Sequence, residues 1–539
     1  MRRSLSRPTA FNNGSSPRRV MRFRRNNSAF NDSDDALTII RRTSDQFKSI
    51  IEGVYIIGTY PWQSFDEPTR LLFNSKFSFD DSIIPFIFPH GRKIFRKQFV
   101  NPNEMLSEVF EDDDKNGNFV TLYFPEKTNC PYLYCYKYCV SPLTLPSITH
   151  EFSLQELISH MTCSDVPYCE ICVAIQSKLP YDTLFKNMIF WYLKCETISR
   201  IEAYDLIESA LLQGKESNHK KDFSPLPLNS GGSILLQDIP DSPTTQIPAC
   251  GWPEKNALKI KNIIKATANR MMPQPNETIT LDFSPFPIFE WTRPMSVKSY
   301  FPFARTCIYE LVSRVSPPAL AMILGTLALE KSMVIYHNHE EVVSRVILAL
   351  HYMLKPLRWV SGSISILPKS LIDLFHAPNP LLIGTSLPPS DQTIDYANFV
   401  FIDLVKCEIT VNDAIPDIPF EYTFEEDVKD VWDEIKDPQD PKLNRIIMAA
   451  NLAIRDILGP AEASIVSDFS DIDNTTSKFV QELYLEQFDP MAREYLTTFS
   501  ETQMFHLHVE QECRKRSDAI KLAKECSQYE KMNQPGNST

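Results

Sequence analysis

Four residues between positions 160 and 172 carry metal-ligating side chains: His160, Cys163, Cys169 and Cys172, the last two at the Cys-x-x-Cys spacing of zinc sites. Zinc on thiolates and imidazole would staple a loop. No second Cys-x-x-Cys pair accompanies them, and Glu170-Ile171-Cys172-Val173-Ala174-Ile175 has the composition of a buried strand, in which alternate residues face opposite ways. Packed thiols are expected here. His337-Asn338-His339-Glu340 is a second potential ligand set, but imidazoles two apart ahead of Glu340-Glu341 read as a polar turn opening a helix. Nucleophilic chemistry has no better support, because Ser361-Gly362-Ser363 lacks the second glycine of a G-x-S-x-G elbow. Neither a G-x-x-x-x-G-K-[ST] nor a G-x-G-x-x-G loop is present to cradle phosphates. The residues predict no catalytic group, no cofactor and no metal, and point to a chain that works through a shaped surface.

The elements that would carry such a surface fall into two α/β modules. Over residues 45–212, strands are expected at Gly53–Thr59, Asn118–Phe124, Leu133–Val140 and Ile171–Gln176, with helices at Leu154–Met161 and Leu184–Leu212. Residues 213–256, with Pro225, Pro227, Pro240, Pro243 and Pro248 and little periodicity, read as a linker or mobile loop. The second module spans 257–420. It begins with a proline-rich extended stretch, Leu281–Pro294, and then Ser316-Pro317-Pro318 predicts a helix start, a capping hydroxyl followed by prolines at the first helical positions. Leu320, Ile323, Leu324, Leu327 and Ala328 share one face of that helix; Val343, Val346, Ile347, Leu350 and Leu354 form a second stripe ended by Pro356. Strands at Met333–Tyr336, Ile364–Leu367, Leu381–Ile383 and Phe399–Leu404 alternate with them, which predicts a largely parallel sheet covered by helices. The acidic stretch Glu421–Asp440 reads as a solvated face or loop. The chain to residue 515 is otherwise expected to be helical, with Pro490 opening the helix that carries Thr502-Gln503-Met504-Phe505, and 516–539 form a tail.

Composition bounds the function. At 539 residues and 43% hydrophobic content the chain supplies more than one core. Its longest apolar run, Ala319–Leu329, is far short of the roughly 20 residues of a membrane span. The twelve scattered cysteines fit a reducing, cytoplasmic compartment. Residues 1–31 hold eight arginines and no acid, so the net charge of −13 leaves the remaining chain at about −21. An acidic body argues against nucleic acid as partner. The basic head, rich in Ser and Asn, predicts a disordered tail over 1–44. It is read either as simply solvated or as attracted to an anionic membrane surface, which would recruit the protein peripherally.

Three groups of residues occur in a fixed order over roughly 45–515. The first holds Pro85-Phe86-Ile87-Phe88-Pro89-His90-Gly91, Asn118–Phe124 and Cys172–Tyr181; the second holds Leu327-Ala328-Leu329-Glu330, Trp359, Ile366–Asp373, Ala377–Gly384 and Phe399–Leu404; the third is Phe499-Ser500-Glu501-Thr502-Gln503-Met504-Phe505. Together they resemble the upstream, core and downstream segments of DENN-domain proteins, with His90 and Ala328 as mild departures. The resemblance implies a bilobed α/β fold: a longin-like N-terminal lobe over 45–212 and a C-terminal three-layer α/β lobe whose helical downstream part covers 421–515. It implies guanine-nucleotide exchange on a Rab-type small GTPase in membrane trafficking. Two other readings stay open: a non-catalytic GTPase-binding scaffold, and a GTPase-activating protein that inserts Arg70 or Arg92 from N-terminal-lobe loops. Because open α/β sheets bind at the ends of their strands, the expected contact residues are Asp373, His376, Asn379, Pro380, Gly384, Thr385 and Asp403. Each has a plainer reading, Pro380 and Gly384 as turn formers and Asp403 as a cap. Leu327, Leu329, Leu367, Ile383, Phe401, Phe499 and Phe505 are assigned to the core.

Overall fold

The computed structural model describes residues 2–3, 49–64, 66–75, 79–100, 104, 117–127, 130–150, 156, 159–160, 163–218, 252–296, 298, 300–388, 399–411, 414–468 and 476–532. The chain forms two compact units: Ser33–Thr121 with Asn129–Met295, and Ser296–Thr539 with Met1–Asp32 and Leu122–Thr128. The tail expected over 1–44, the linker expected over 213–256 and the helix expected at Leu154–Met161 lie largely outside the described residues.

In the first unit, strands β1 (Gly53–Gly58), β2 (Arg70–Asn74), β3 (Ile94–Gln98), β4 (Asn118–Tyr123), β5 (Tyr132–Val140) and β6 (Asp165–Ser177) build one sheet in the order β2-β1-β6-β5-β4, with β3 also pairing β6. Both faces of β1 and nearly all of β5 are buried, which explains why these strands read as continuous apolar runs. Helix α1 (Asp182–Asn218) follows, its Leu184, Phe185, Met188, Ile189 and Tyr192 buried at helical spacing and Phe185 stacked on Tyr134 at 4.4 Å. Helix α2 (Trp252–Ala268) precedes a hairpin of β7 (Thr278–Leu281) and β8 (Phe289–Thr292), where the sequence suggested only extended chain. Alternation decides this: Ile279, Leu281, Phe289 and Trp291 face inward while Thr278 and Thr292 bond across the outer face at 2.8 Å.

The second unit contains the expected parallel sheet. After α3 (Phe301–Val312) and α4 (Pro317–Ala328) come β9 (Met333–Tyr336), α5 (Glu340–Met353), β10 (Gly362–Ile364), β11 (Leu381–Thr385), β12 (Val400–Asp403) and β13 (Glu408–Thr410). Their order is β13-β12-β9-β11-β10, parallel except where β13 turns back on β12, and Arg2–Arg3 pairs antiparallel with β13. Ser316 is the extended N-cap residue of α4 with prolines at the first positions, although its hydroxyl makes no capping bond. His337–His339 is the polar turn that opens α5. The stretch expected to be a solvated acidic face or loop instead forms helix α6 (Glu421–Trp432), because Phe424, Val428 and Val431 supply a buried stripe among the charges. Helix α7 (Leu443–Ala463) then buries Asn451, whose amide donates to Tyr352 O at 2.8 Å and Met353 O at 2.9 Å and so closes the C-terminal end of α5.

A hairpin of β14 (Ile465–Asp468) and β15 (Thr476–Phe479) leads to α8 (Gln481–Leu485), α9 (Arg493–Ser500) and α10 (Gln503–Met532). Pro490 starts only a short turn before α9, so the Thr502–Phe505 signature opens a helix of its own rather than sitting inside the one Pro490 begins. Of the assigned core residues, Leu327, Leu329, Leu367, Ile383, Phe499 and Phe505 are buried; Phe401 is half-buried and lies 6.4 Å from Tyr336, ring to ring. Among the described residues no single helix is long and apolar enough to cross a membrane, and α3 and α4, which pass together by composition, are bent by 114°.

His351 sits near the end of α5 with its Nε2 2.8 Å from Ser363 Oγ. Burial first, then the charges of Arg358 and Lys355, push the imidazole down to about 3. It is neutral in the folded chain and takes a proton only on unfolding, so its contribution is fully present above about pH 6.5 and is lost as pH falls toward 3. The urea midpoint should therefore drop between pH 7 and pH 5 by less in His351→Gln than in the parent; equal drops would assign the acid sensitivity elsewhere.

Candidate functional site

Helix α4 ends in a Schellman turn: Glu330 N donates to Leu327 O at 3.1 Å and Lys331 N to Thr326 O at 3.3 Å. Such a turn needs a left-handed residue just past the helix, a place usually given to glycine. Here it is Glu330, at φ 51°. Its carboxylate accepts from Gln503 N at 2.7 Å and Met504 N at 3.0 Å, while Thr502 Oγ1 accepts from Phe505 N at 3.2 Å and Thr502 N donates to Phe499 O at 3.1 Å. The four amides that open α10 all have acceptors. Burial raises the Glu330 carboxyl above its usual range, and the Gln503 and Met504 amides pull it back. Tyr495 Oη donates to Gly325 O at 2.8 Å one turn earlier in α4, and Phe499, Phe479 and Tyr484 ring Phe505 at 5.2–5.6 Å. The core and downstream signatures thus meet as one joint.

This joint holds the sheet whose two ends are the candidate surface. The 3-10 segment Lys369–His376 and the loop to Pro380 lie ahead of β11, and they turn Phe375, with Leu371, Ile372 and Leu374, onto a core of Val334, Leu367, Ile383 and Phe399. That leaves Asp373, His376 and Asn379 exposed and Pro380 half-buried, all at the N-terminal end of β11. Gly384, Thr385 and Asp403 belong to the opposite, C-terminal end, about 15 Å away across a five-residue strand. The expected contact residues are therefore divided between two edges.

The three at the C-terminal end are buried and occupied. A Cβ on Gly384 would meet Ser365 O at 2.2 Å and Val343 Cγ1 at 2.4 Å, so the glycine is there for close packing. Thr385 Oγ1 accepts from Leu387 N at 3.1 Å. Asp403 Oδ1 accepts from Val405 N at 3.0 Å and Lys406 N at 2.9 Å, shaping the β12–β13 turn, with Lys406 Nζ 3.6 Å from its other oxygen. What this edge presents instead is Asn338 and His339, both exposed, with Tyr336 Oη donating to Asn338 Oδ1 at 2.7 Å. His337 Nδ1 accepts from His339 N at 3.0 Å; burial, then Arg314 and His339, lower its imidazole. Beside it Glu310 bridges Arg314 at 2.8 Å and Arg345 at 3.3 Å, and Arg345 reaches Glu341 at 2.7 Å. The signal for this network was in the sequence as two i,i+4 pairs, Glu310–Arg314 and Glu341–Arg345.

In the first unit, Arg92 is half-buried and donates to Thr59 Oγ1 and to Glu67 O, holding the 59–67 loop, and it lines a cavity of about 430 Å³ with Ile84, Pro85, Phe88 and Ile94. Arg70 is exposed and lies over the Tyr60 ring at 5.3 Å. Two of the three cysteines considered for zinc are packed and the third, Cys163, is exposed: Cys169 Sγ donates to Thr59 O at 3.0 Å and burial pushes its thiol up to about 12, and Cys172 is fully buried. Such thiols stay protonated.

Residues 239–407 match the family model of the DENN (AEX-3) domain, a span that takes in β9–β12 and both edges just described. Over that span the chain is similar to DENN domains. It is 22% identical over 267 residues to DENN domain-containing protein 2A of Homo sapiens, an alignment covering 44% of this chain and 26% of that relative. The chain thus matches about a quarter of the relative's length.

Glu330→Ala should lower stability by about 1–3 kcal/mol, since it orphans the buried Met504 amide and the part-buried Gln503 amide. Glu330→Gln should lose much less, because it keeps an acceptor and removes a desolvated charge. Guanidinium titration of both decides this, and equal losses would show that the charge rather than the acceptor matters.

Proposed function

We propose that the protein is a guanine-nucleotide exchange factor for a Rab-type small GTPase. The observation that carries this reading is the DENN domain at 239–407, a domain linked generally to Rab exchange; the antiparallel first unit is read as its longin-like lobe. The role needs no bond-making group. A small GTPase holds GDP with about −13 to −15 kcal/mol, and a partner loosens it only by binding the nucleotide-free form better than the loaded form. By linkage the nucleotide then loses the same factor. A rigid sheet edge with a polar rim supplies the surface, and we assign first contact to Asp373, His376 and Asn379, the exposed members of the expected set. Recruitment to membranes would fall to the arginine-rich N-terminal residues, by attraction to anionic headgroups.

Release of a fluorescent GDP from a panel of purified Rab GTPases tests the reading. One or two members should respond, and Asn379→Arg or Asp373→Arg should cut the rate at least about tenfold, roughly 1.4 kcal/mol, with unchanged thermal midpoints. Loss on Asn338→Arg instead would move the contact to the other sheet edge. Binding without acceleration would make the protein a scaffold, and faster GTP hydrolysis abolished by Arg70→Ala would make it an activator.

A further inference from the structure

Helix α10 presents His508, Glu512 and Arg516 at successive i,i+4 positions, on one stripe. That stripe passes the C-terminal end of α7. Arg516 donates to Ile465 O at 2.7 Å and to Glu462 O at 2.9 Å, a cation seated where the α7 carbonyls end. Two turns earlier, His508 Nε2 lies 3.1 Å from Glu462 Oε1, and one ligand atom each of Glu462, His508 and Glu512 falls within 4.8 Å of the others. Two carboxylates from different helices thus converge on one imidazole at the negative pole of α7. Lys515 Nζ holds one Glu512 oxygen at 2.6 Å, but that lysine is 69% exposed and the second oxygen remains.

We propose that Glu462, His508 and Glu512 form a divalent transition-metal site that clamps α10 to α7, with zinc as the reference ion. One imidazole nitrogen and two carboxylate oxygens are a borderline donor set suited to zinc and poorly suited to calcium or magnesium. Tetrahedral bonds of about 2.1 Å place ligand atoms about 3.4 Å apart. The spacings of up to 4.8 Å therefore require a contraction of at most about 1.4 Å, within reach of side chains that are all only partly buried. Zinc would replace the hydrogen between His508 and Glu462, so uptake weakens in acid. Three protein ligands leave a position for water, and the ion would act on stability.

The test uses the full chain, stripped with a chelator and titrated with zinc chloride. One equivalent should bind by calorimetry, and an about hundredfold excess over Kd should raise the thermal midpoint by about 2–4 °C. His508→Ala and Glu512→Gln should each weaken this binding at least tenfold, while their midpoints in chelator stay at the parent's. Binding unchanged in both variants would place zinc elsewhere and overturn the proposal, as would the absence of a stoichiometric equivalent or equal uptake of magnesium.

Discussion

A single carboxylate, that of Glu330, joins the two halves of the second unit's interior. The residue sits where the Schellman turn of α4 requires a left-handed backbone, at φ 51°, and glycine would suit that backbone better. A glycine could not reach the first two amides of α10, which Glu330 does at 2.7 and 3.0 Å. Local preference gives way to a long-range cap. With burial raising the Glu330 carboxyl, the charge itself is costly, and the pairing stands because unpaired amides at a buried helix start would cost more. Phe499, Phe505 and Tyr495 gather around this cap, so the packing of the downstream helices depends on where α4 ends.

What the joint makes possible is a sheet with two usable edges. Strands β9, β11 and β12 are buried along nearly their whole length, so only their flanking loops can meet a partner. At the N-terminal edge the short 3-10 segment divides its residues by face, with Phe375 inward and Asp373 and His376 outward. At the C-terminal edge the polar side chains that look most functional are spent on the backbone: Asp403 on a turn, Thr385 on Leu387 N. The solvent-facing chemistry there passes to Asn338 and His339, whose positions follow from the turn that opens α5.

Much of this was legible in the sequence, and the failures have physical causes. Periodicity found α4, α5 and the parallel strands because their burial is one-sided or complete. It missed α6 because charge dominates Glu421–Trp432, although Phe424, Val428 and Val431 keep helical spacing. Both the Leu327–Glu330 and the Phe499–Phe505 signatures were visible, but not their meeting, since a hydrogen bond across 173 residues leaves no local pattern. Gly384 looked like a turn or surface residue by type, but its packing against Ser365 and Val343 depends on neighbours distant in sequence, whereas Asp403 bonds the nearby Val405 and Lys406 amides, in keeping with its plainer reading as a cap.

These constraints bear on how such a surface could work. A partner that lowers nucleotide affinity has to hold its own shape while the GTPase yields, or the binding energy is spent on deforming the wrong protein. The 3-10 rim meets that demand: its apolar side is keyed into Val334, Leu367 and Ile383, all fully buried, and close-packed interiors deform little. Leu367 N further donates to Gly384 O at 2.7 Å, tying the segment between β10 and the rim to β11. Stiffness at Asp373, His376 and Asn379 therefore originates in the same sheet that Glu330 and α10 hold closed.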